Sequence, residues 1–158
     1  MRGGFIMDIS TNLLANKFVK LIEDNHQEIV ERYMNDLLRN EKTAGYRSLN
    51  RQMIYEIGDN VYRELSQWLS KGIQKQEIQN FYEKLGKMRL QQGVPASQVF
   101  HALVLLKRHM WLFVNQSLEN DITDYKQAVD LINRVILFFD RAIFYMLQGH
   151  EKEMAKRW

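Results

Sequence analysis

Residues Gly86 to Leu118 read GKMRLQQGVPASQVFHALVLLKRHMWLFVNQSL and hold the only proline of the chain, Pro95. Gly93 suits the position just past a helix end, where a left-handed backbone carries no penalty for a residue without Cβ. Val94 precedes proline and is pushed toward extended geometry. Pro95 fits the first turn of a new helix, where its missing N–H is not needed. One helix therefore stops at about Gln92 and the next starts at about Pro95. In the second, Val99, Leu103, Leu106, Met110 and Phe113 form one stripe, and Phe100, Val104, Trp111, Val114 and Leu118 form another beside it. Leu105 and Leu112 widen the face further. A surface helix has a narrower stripe, so this one is expected to be central, with neighbours on most sides.

Working outward, the same helical spacing recurs along the chain. Ser10 to Asn12 offers caps for a first helix, whose face carries Leu14, Phe18, Leu21, Ile22, Ile29, Tyr33, Met34, Leu37 and Leu38 and which ends near Asn40. Its stripe breaks at Asn25-His26, which means a kink, an exposed midsection or a functional gap. Glu41 to Leu49 reads as the longest loop. A second helix follows, with Met53, Ile54, Ile57, Val61, Leu65, Trp68 and Leu69 on one face and Lys71-Gly72 at its end; Gly58 inside it costs about 1 kcal/mol relative to alanine and allows a close helix crossing. A third covers about Gln74 to Gln92, with Ile78, Phe81, Tyr82, Leu85 and Met88 inward and Gly86 within it. The helix after Pro95 ends near Asn120, and Asp121, Thr123 or Asp124 caps a fifth, from about Asp124 to Lys156. Its buried face is expected to hold Ala128, Leu131, Ile132, Val135, Ile136, Phe139, Ala142, Ile143 and Met146. Asp130, Asn133, Arg134, Asp140, Arg141 and Gln148 mark its wet side, with Leu137 and Phe144 at the margin; Gly149 relaxes it. No stretch alternates as a strand does. The expectation is an all-α fold of five long helices, globin-like or a helical bundle.

The chain has 158 residues, enough for one domain with a sizeable core, with residues 1–9 flexible and 150–158 a charged tail extending past the body. One proline and eight glycines leave little material for turns. There is no cysteine, hence no disulfide framework and no thiolate chemistry, which fits a reducing cytosol. The start has no apolar core of signal-peptide length, and no apolar run is long enough to span a bilayer. The net charge of +3 is mild and its residues are interleaved, so a mixed solvated surface is expected rather than a nucleic-acid footprint.

Catalytic constellations are absent: no phosphate-binding glycine loop, no His-Glu-x-x-His, no nucleophile elbow. Of the four histidines, His101 and His109 lie on one helix with backbones about 12 Å apart at 1.5 Å per residue, too far to share a metal ion. His26, His101 and His109 are candidates for a haem axial ligand, weighed against ordinary surface or hydrogen-bonded histidines. The aromatic set Trp68, Phe81, Tyr82, Phe100, Trp111, Phe113, Phe138 and Phe139 reads as plain core before it reads as a ligand pocket.

The pattern Gly86-x-x-Arg89-x-x-Gln92-Gly93-Val94-Pro95, followed by an apolar helix with Lys107-Arg108 ahead of Trp111, resembles the N-terminal domain of the RsbT co-antagonist protein RsbRD. Phe138-Phe139-Asp140-Arg141-Ala142 is a second match, and the resemblance spans roughly Leu14 to His150. It implies an all-helical sensory or regulatory domain. Such domains typically precede an output module such as a STAS domain of a stressosome protein, a histidine kinase or a transcriptional regulator. This chain ends where the family usually continues, and its start and charged tail fit a complete protein. For Arg89 and Gln92 two roles stand side by side, contact with a ligand or partner and fixing of the angle between two helices. The expected function is non-enzymatic and cytoplasmic signal transduction by homodimerisation, with Leu137 and Phe144 in the dimer surface, and by protein–protein contact. The alternative is a globin-like sensor of haem or an apolar ligand.

Overall fold

The computed structural model describes residues 13–69, 75–117 and 125–157, the side chains of 125–129 excepted. These form an all-α structure of seven α-helices and one 3-10 segment, with no strand among the described residues: α1 (Leu13–Asp24), α2 (His26–Arg39), the 3-10 segment (Glu41–Ser48), α3 (Arg51–Arg63), α4 (Leu65–Leu69), α5 (Lys75–Gln91), α6 (Ala96–Ser117) and α7 (Tyr125–Ala155). The expected flexibility of 1–9, the caps at Ser10 to Asn12 and at Asp121 to Asp124, the ends at Lys71-Gly72 and Asn120, and the burial of Leu118 and Ala128 lie outside the described residues.

The five expected helices become seven α-helices because two of them break where no glycine or proline marks the place, and the 3-10 segment makes the eighth element. At Asn25 the backbone leaves helical geometry (φ −119°, ψ 21°) and the side-chain amide donates to the Leu21 carbonyl at 2.8 Å. This local alternative to the helix ladder is typical of asparagine. At Glu64 the chain turns again (φ −110°, ψ 30°). The first amides of α4 are met there by α1, since Ser66 N–H donates to the Glu23 carboxylate at 2.7 Å, and Trp68 Nε1–H reaches Asn60 Oδ1 at 3.1 Å. The stretch expected to be a loop is helical as well. Asn40 caps the 3-10 segment by accepting from Lys42 N–H at 2.9 Å, buried Thr43 donates to the Leu37 carbonyl at 2.7 Å, and Gly45 N–H donates to Gln98 Oε1 at 2.6 Å.

The Gly93-Val94-Pro95 break forms as the sequence predicts. Gly93 has φ 81° and is the one residue with positive φ among those described. Its amide reaches the Leu90 carbonyl at 2.8 Å and Val94 N–H reaches that of Arg89 at 3.0 Å, the pairing that closes a helix end. Beyond the break, α6 buries Val99, Ala102, Leu103, Leu105, Leu106, Met110, Phe113 and Val114 against α1, α2, α7 and the 3-10 segment. Phe100 and Leu112, expected to widen the buried face, are instead exposed. Met53 and Phe81 are also turned outward.

The closest packing is between α5 and α7. Tyr82, Gly86 and Gln91 meet Phe138, Met146 and Glu153 in ascending order, so the two helices run in the same direction. At the crossing they touch through backbone. A Cβ on Gly86 would stand 1.8 Å from the Met146 carbonyl oxygen, and one on Gly149 2.0 Å from that of Glu83. Gly149 thus admits a neighbouring helix rather than relaxing its own. This contact sets the rotation of α7. Leu131, Val135, Phe138, Phe139, Ala142, Tyr145 and Met146 are buried, while Ile132 and Ile136, expected inside, face outward. The first residues of the expected charged tail are tied to the body, since α7 continues to Ala155, His150 is buried and Lys152 Nζ lies 3.1 Å from Glu83 Oε2, while residues 154–157 are exposed.

Candidate functional site

Three places hold the residues singled out in the sequence. The first lies under the helix break. Arg89, in the last turn of α5, is only 2% exposed. One guanidinium nitrogen donates to Gln92 Oε1 at 2.9 Å, and the group lies over the Tyr46 ring at 5.4 Å from its centroid. Among the described residues neither its Nε–H nor the buried hydroxyl of Tyr82 has a hydrogen-bond partner, and the buried hydroxyl of Tyr46 finds no acceptor for its proton. Arg89 and these tyrosines line a cavity of about 30 Å³ together with Tyr33 and apolar side chains of α3, α6 and α7. Burial pushes the Tyr33, Tyr46 and Tyr82 phenols up, so all three keep their protons. For Tyr46 the nearby Arg89 charge, and the hydrogen bond its hydroxyl can accept from Arg89, partly offset this. Arg89 thus bonds to Gln92 just past the end of α5 and lines a cavity.

The second place is the set of histidines, which the structure does not bring together. His26, at the start of α2, sits with Nδ1 2.6 Å from Asp59 Oδ1, and Arg63 holds the other oxygen at 2.7 Å. His109 Nε2 is 2.8 Å from Asp36 Oδ2. Among the described residues no group of three metal-ligating side chains assembles. The enclosed cavity is an order of magnitude below the roughly 300 Å³ and more of small-molecule pockets, so nothing in this geometry favours the haem reading. An open cleft of about 350 Å³ between α2 and α3, lined by Glu31, Asn35, Arg51 and Tyr55 among others, touches none of the three candidate histidines.

His150 opens the stretch that the sequence reads as a charged tail. It is buried, and its Nε2–H donates to the Val94 carbonyl at 2.9 Å, which locks α7 to the break between α5 and α6. A lone histidine among glutamates and lysines gives no signal of this. Trp111 is half-buried and stacks on Phe18 at 5.4 Å. Trp68, Tyr82, Phe138 and Phe139 form a contiguous cluster with the centroids of neighbouring rings 5.0 to 6.1 Å apart, the plain core the spacing predicts.

Glu83 is held below its ordinary value chiefly by its hydrogen bond from Gln79, and two further groups at the α2–α6 contact are lowered as well. His101 is held below its ordinary value by burial first, then by the charges of Lys42 and Arg108, with Asp36 opposing. Burial would raise Asp36, but hydrogen bonds from His109 and Asn40 and the nearby His109 and Arg108 charges lower it overall. Both folded values lie below the unfolded ones, so the folded state binds fewer protons and loses stability as pH falls. The His101 contribution is whole above about pH 6.5 and is lost as pH drops through the lower folded value; that of Asp36 follows below about pH 4. Thermal melts of His101→Gln are expected to show a shallower decline between neutral pH and pH 5 than the unmodified protein, with the steeper acid loss retained. An equally steep decline in both proteins would remove His101 from the account.

The third place is the outer side of α7. Ile132, Ile136, Leu137 and Phe144 are 42%, 44%, 49% and 57% exposed and spread over an outward arc of about 140°, the isoleucine pair on one side and Leu137 with Phe144 on the other. Asp140 lies in the arc and Arg141 at its edge, half-buried. No helix of the described residues is long and apolar enough to cross a membrane.

Fold and site together define an all-helical domain whose marked residues build a helix break, a cavity and an apolar arc. The chain matches the RsbT co-antagonist protein rsbRD N-terminal domain over residues 27–158, and it belongs to that family of regulatory domains. No curated protein and no solved structure matches it.

Proposed function

We propose that the chain is a single non-enzymatic sensory module of a stressosome-type signalling pathway, working in the cytoplasm. In this reading it acts by pairing with a second copy of itself and by handing a helix displacement to a protein partner. One observation carries the proposal: four large apolar side chains are left half-exposed on the outward side of the longest helix. Such an arc costs solvation in a monomer and is the kind of surface that a helix–helix contact covers. The family supplies the regulatory setting. A globin-like packing belongs to the same reading, supported by the broken α1–α2 and α3–α4 pairs, which an up-and-down bundle does not need.

Sedimentation velocity is expected to show a dimer. Leu137→Asp with Phe144→Asp is expected to give a monomer with unchanged helical circular dichroism, because both positions are exposed and the changes leave the core intact. A monomer for the unmodified chain at high concentration would refute the pairing. A double variant that remains dimeric would move the interface elsewhere.

A further inference from the structure

The cavity at Arg89 carries an inference that goes beyond the signalling role and does not rest on it. Arg89 is a buried cation with no carboxylate partner among the ion pairs of the described residues. Its contacts are all with neutral groups: it donates to the Gln92 amide oxygen and the Met88 sulfur and lies over the Tyr46 ring. An uncompensated buried charge costs several kcal/mol, so the site calls for a negative charge close by. Among the described residues Arg89 Nε–H and the Tyr46 and Tyr82 hydroxyl protons reach no acceptor, and all three residues line the same small space, Arg89 lying within hydrogen-bonding influence of the Tyr46 hydroxyl. The remaining walls include Ile54, Leu85, Leu103 and Leu106, which offer no hydrogen-bond acceptor.

We propose that this cavity binds one small monovalent anion of the halide class, held by Arg89 Nε–H and the Tyr46 and Tyr82 hydroxyls. Size decides the class: about 30 Å³ admits one or two waters or a single small ion, and excludes organic ligands. Charge decides the rest. A water molecule accepts only two hydrogen bonds and brings two donors of its own into a space already rich in donors, whereas an anion accepts from all three and neutralises the guanidinium. A divalent anion would leave an excess negative charge buried. The phenols remain protonated and able to donate because burial raises them. Because the walls come from α3, α5, α6, α7 and the 3-10 segment, occupancy would tie these elements together.

The test compares thermal melts in sodium chloride, sodium bromide and sodium gluconate at equal ionic strength, gluconate being too large for the cavity. The unmodified protein is expected to melt higher in chloride and bromide, with a shift that saturates as the halide is raised. Tyr46→Phe with Tyr82→Phe, which keeps both rings, is expected to fold and to lose that shift. Arg89→Met is expected to lose it as well, and should that variant fail to fold, the tyrosine pair still decides. Crystals grown in bromide are expected to show an anomalous peak between Arg89 and the two tyrosines. Equal melting in all three salts, a halide shift that survives in the tyrosine double variant, or water density without a bromide peak would each overturn the site.

Discussion

Gly86→Ala is expected to lower stability by about 3 kcal/mol, against the usual sign of a glycine-to-alanine change in a helix. In an open helix the substitution gains about 1 kcal/mol. Here the new methyl would stand 1.8 Å from the Met146 carbonyl oxygen and 2.8 Å from its carbon. Both atoms are backbone, so no rotamer change relieves the overlap, and α5 and α7 must part along their whole contact. Overpacking of ordinary cores costs about 1–3 kcal/mol, and a contact between main chains belongs at the upper end. For a chain of this length 3 kcal/mol lowers the melting temperature by roughly 6–12 °C. Gly149→Ala, which meets the Glu83 carbonyl at 2.0 Å, is expected to behave alike. Gly58→Ala is the control: its methyl would lie 3.3 Å from a Tyr33 ring carbon, which can yield. Thermal unfolding by circular dichroism decides, and a Gly86→Ala protein as stable as the parent would contradict the crossing.

Phe18→Ala is expected to cost about 3–5 kcal/mol, the range for deleting a fully buried phenylalanine. Phe18 has no exposed surface and stacks on Trp111 of α6. The interest of the position is that α1 precedes residues 27–158, the part of the chain matched to the family. If α1 were an appendage, truncating Phe18 would change little. Instead it buries Leu14, Ala15, Phe18, Val19 and Ile22, and its Glu23 caps α4. Urea unfolding monitored by tryptophan fluorescence measures the loss. A change below about 1 kcal/mol, the level of an ordinary surface substitution or less, would show that α1 is dispensable to the core.

The break at Gly93-Val94-Pro95 was legible because each of its residues has a backbone preference of its own, and the structure places the helix ends within a residue or so of the expected positions. The breaks at Asn25 and Glu64 were not, since their causes are distant or ambiguous. Asn25 bonds back to its own helix, while the turn after Glu64 is completed by Glu23, 43 residues away from Ser66 in sequence. The rotation of α7 was misread for a related reason. Ile132 and Ile136 are as apolar as the residues that are buried, and what turns them outward is the fit of Gly149 against α5, which hydrophobic spacing does not encode. Arg89 was marked by its motif, but its cavity is assembled from Tyr33, Tyr46 and Tyr82 on three separate segments, so the sequence shows the cation without its surroundings. Leu137 and Phe144 were found because they interrupt a polar face, a pattern visible one residue at a time.

The glycine crossing makes α7 a keyed shaft. Only the setting in which Gly149 faces Glu83 and Met146 faces Gly86 lets the two backbones touch; a turn of 100°, one residue step on an α-helix, would present a side chain to the slot instead. The His150–Val94 bond then acts as a detent at one end of the slot. A rotation of α7 would therefore have to move the Gly93 turn with it, and the last turn of α5 that carries Arg89.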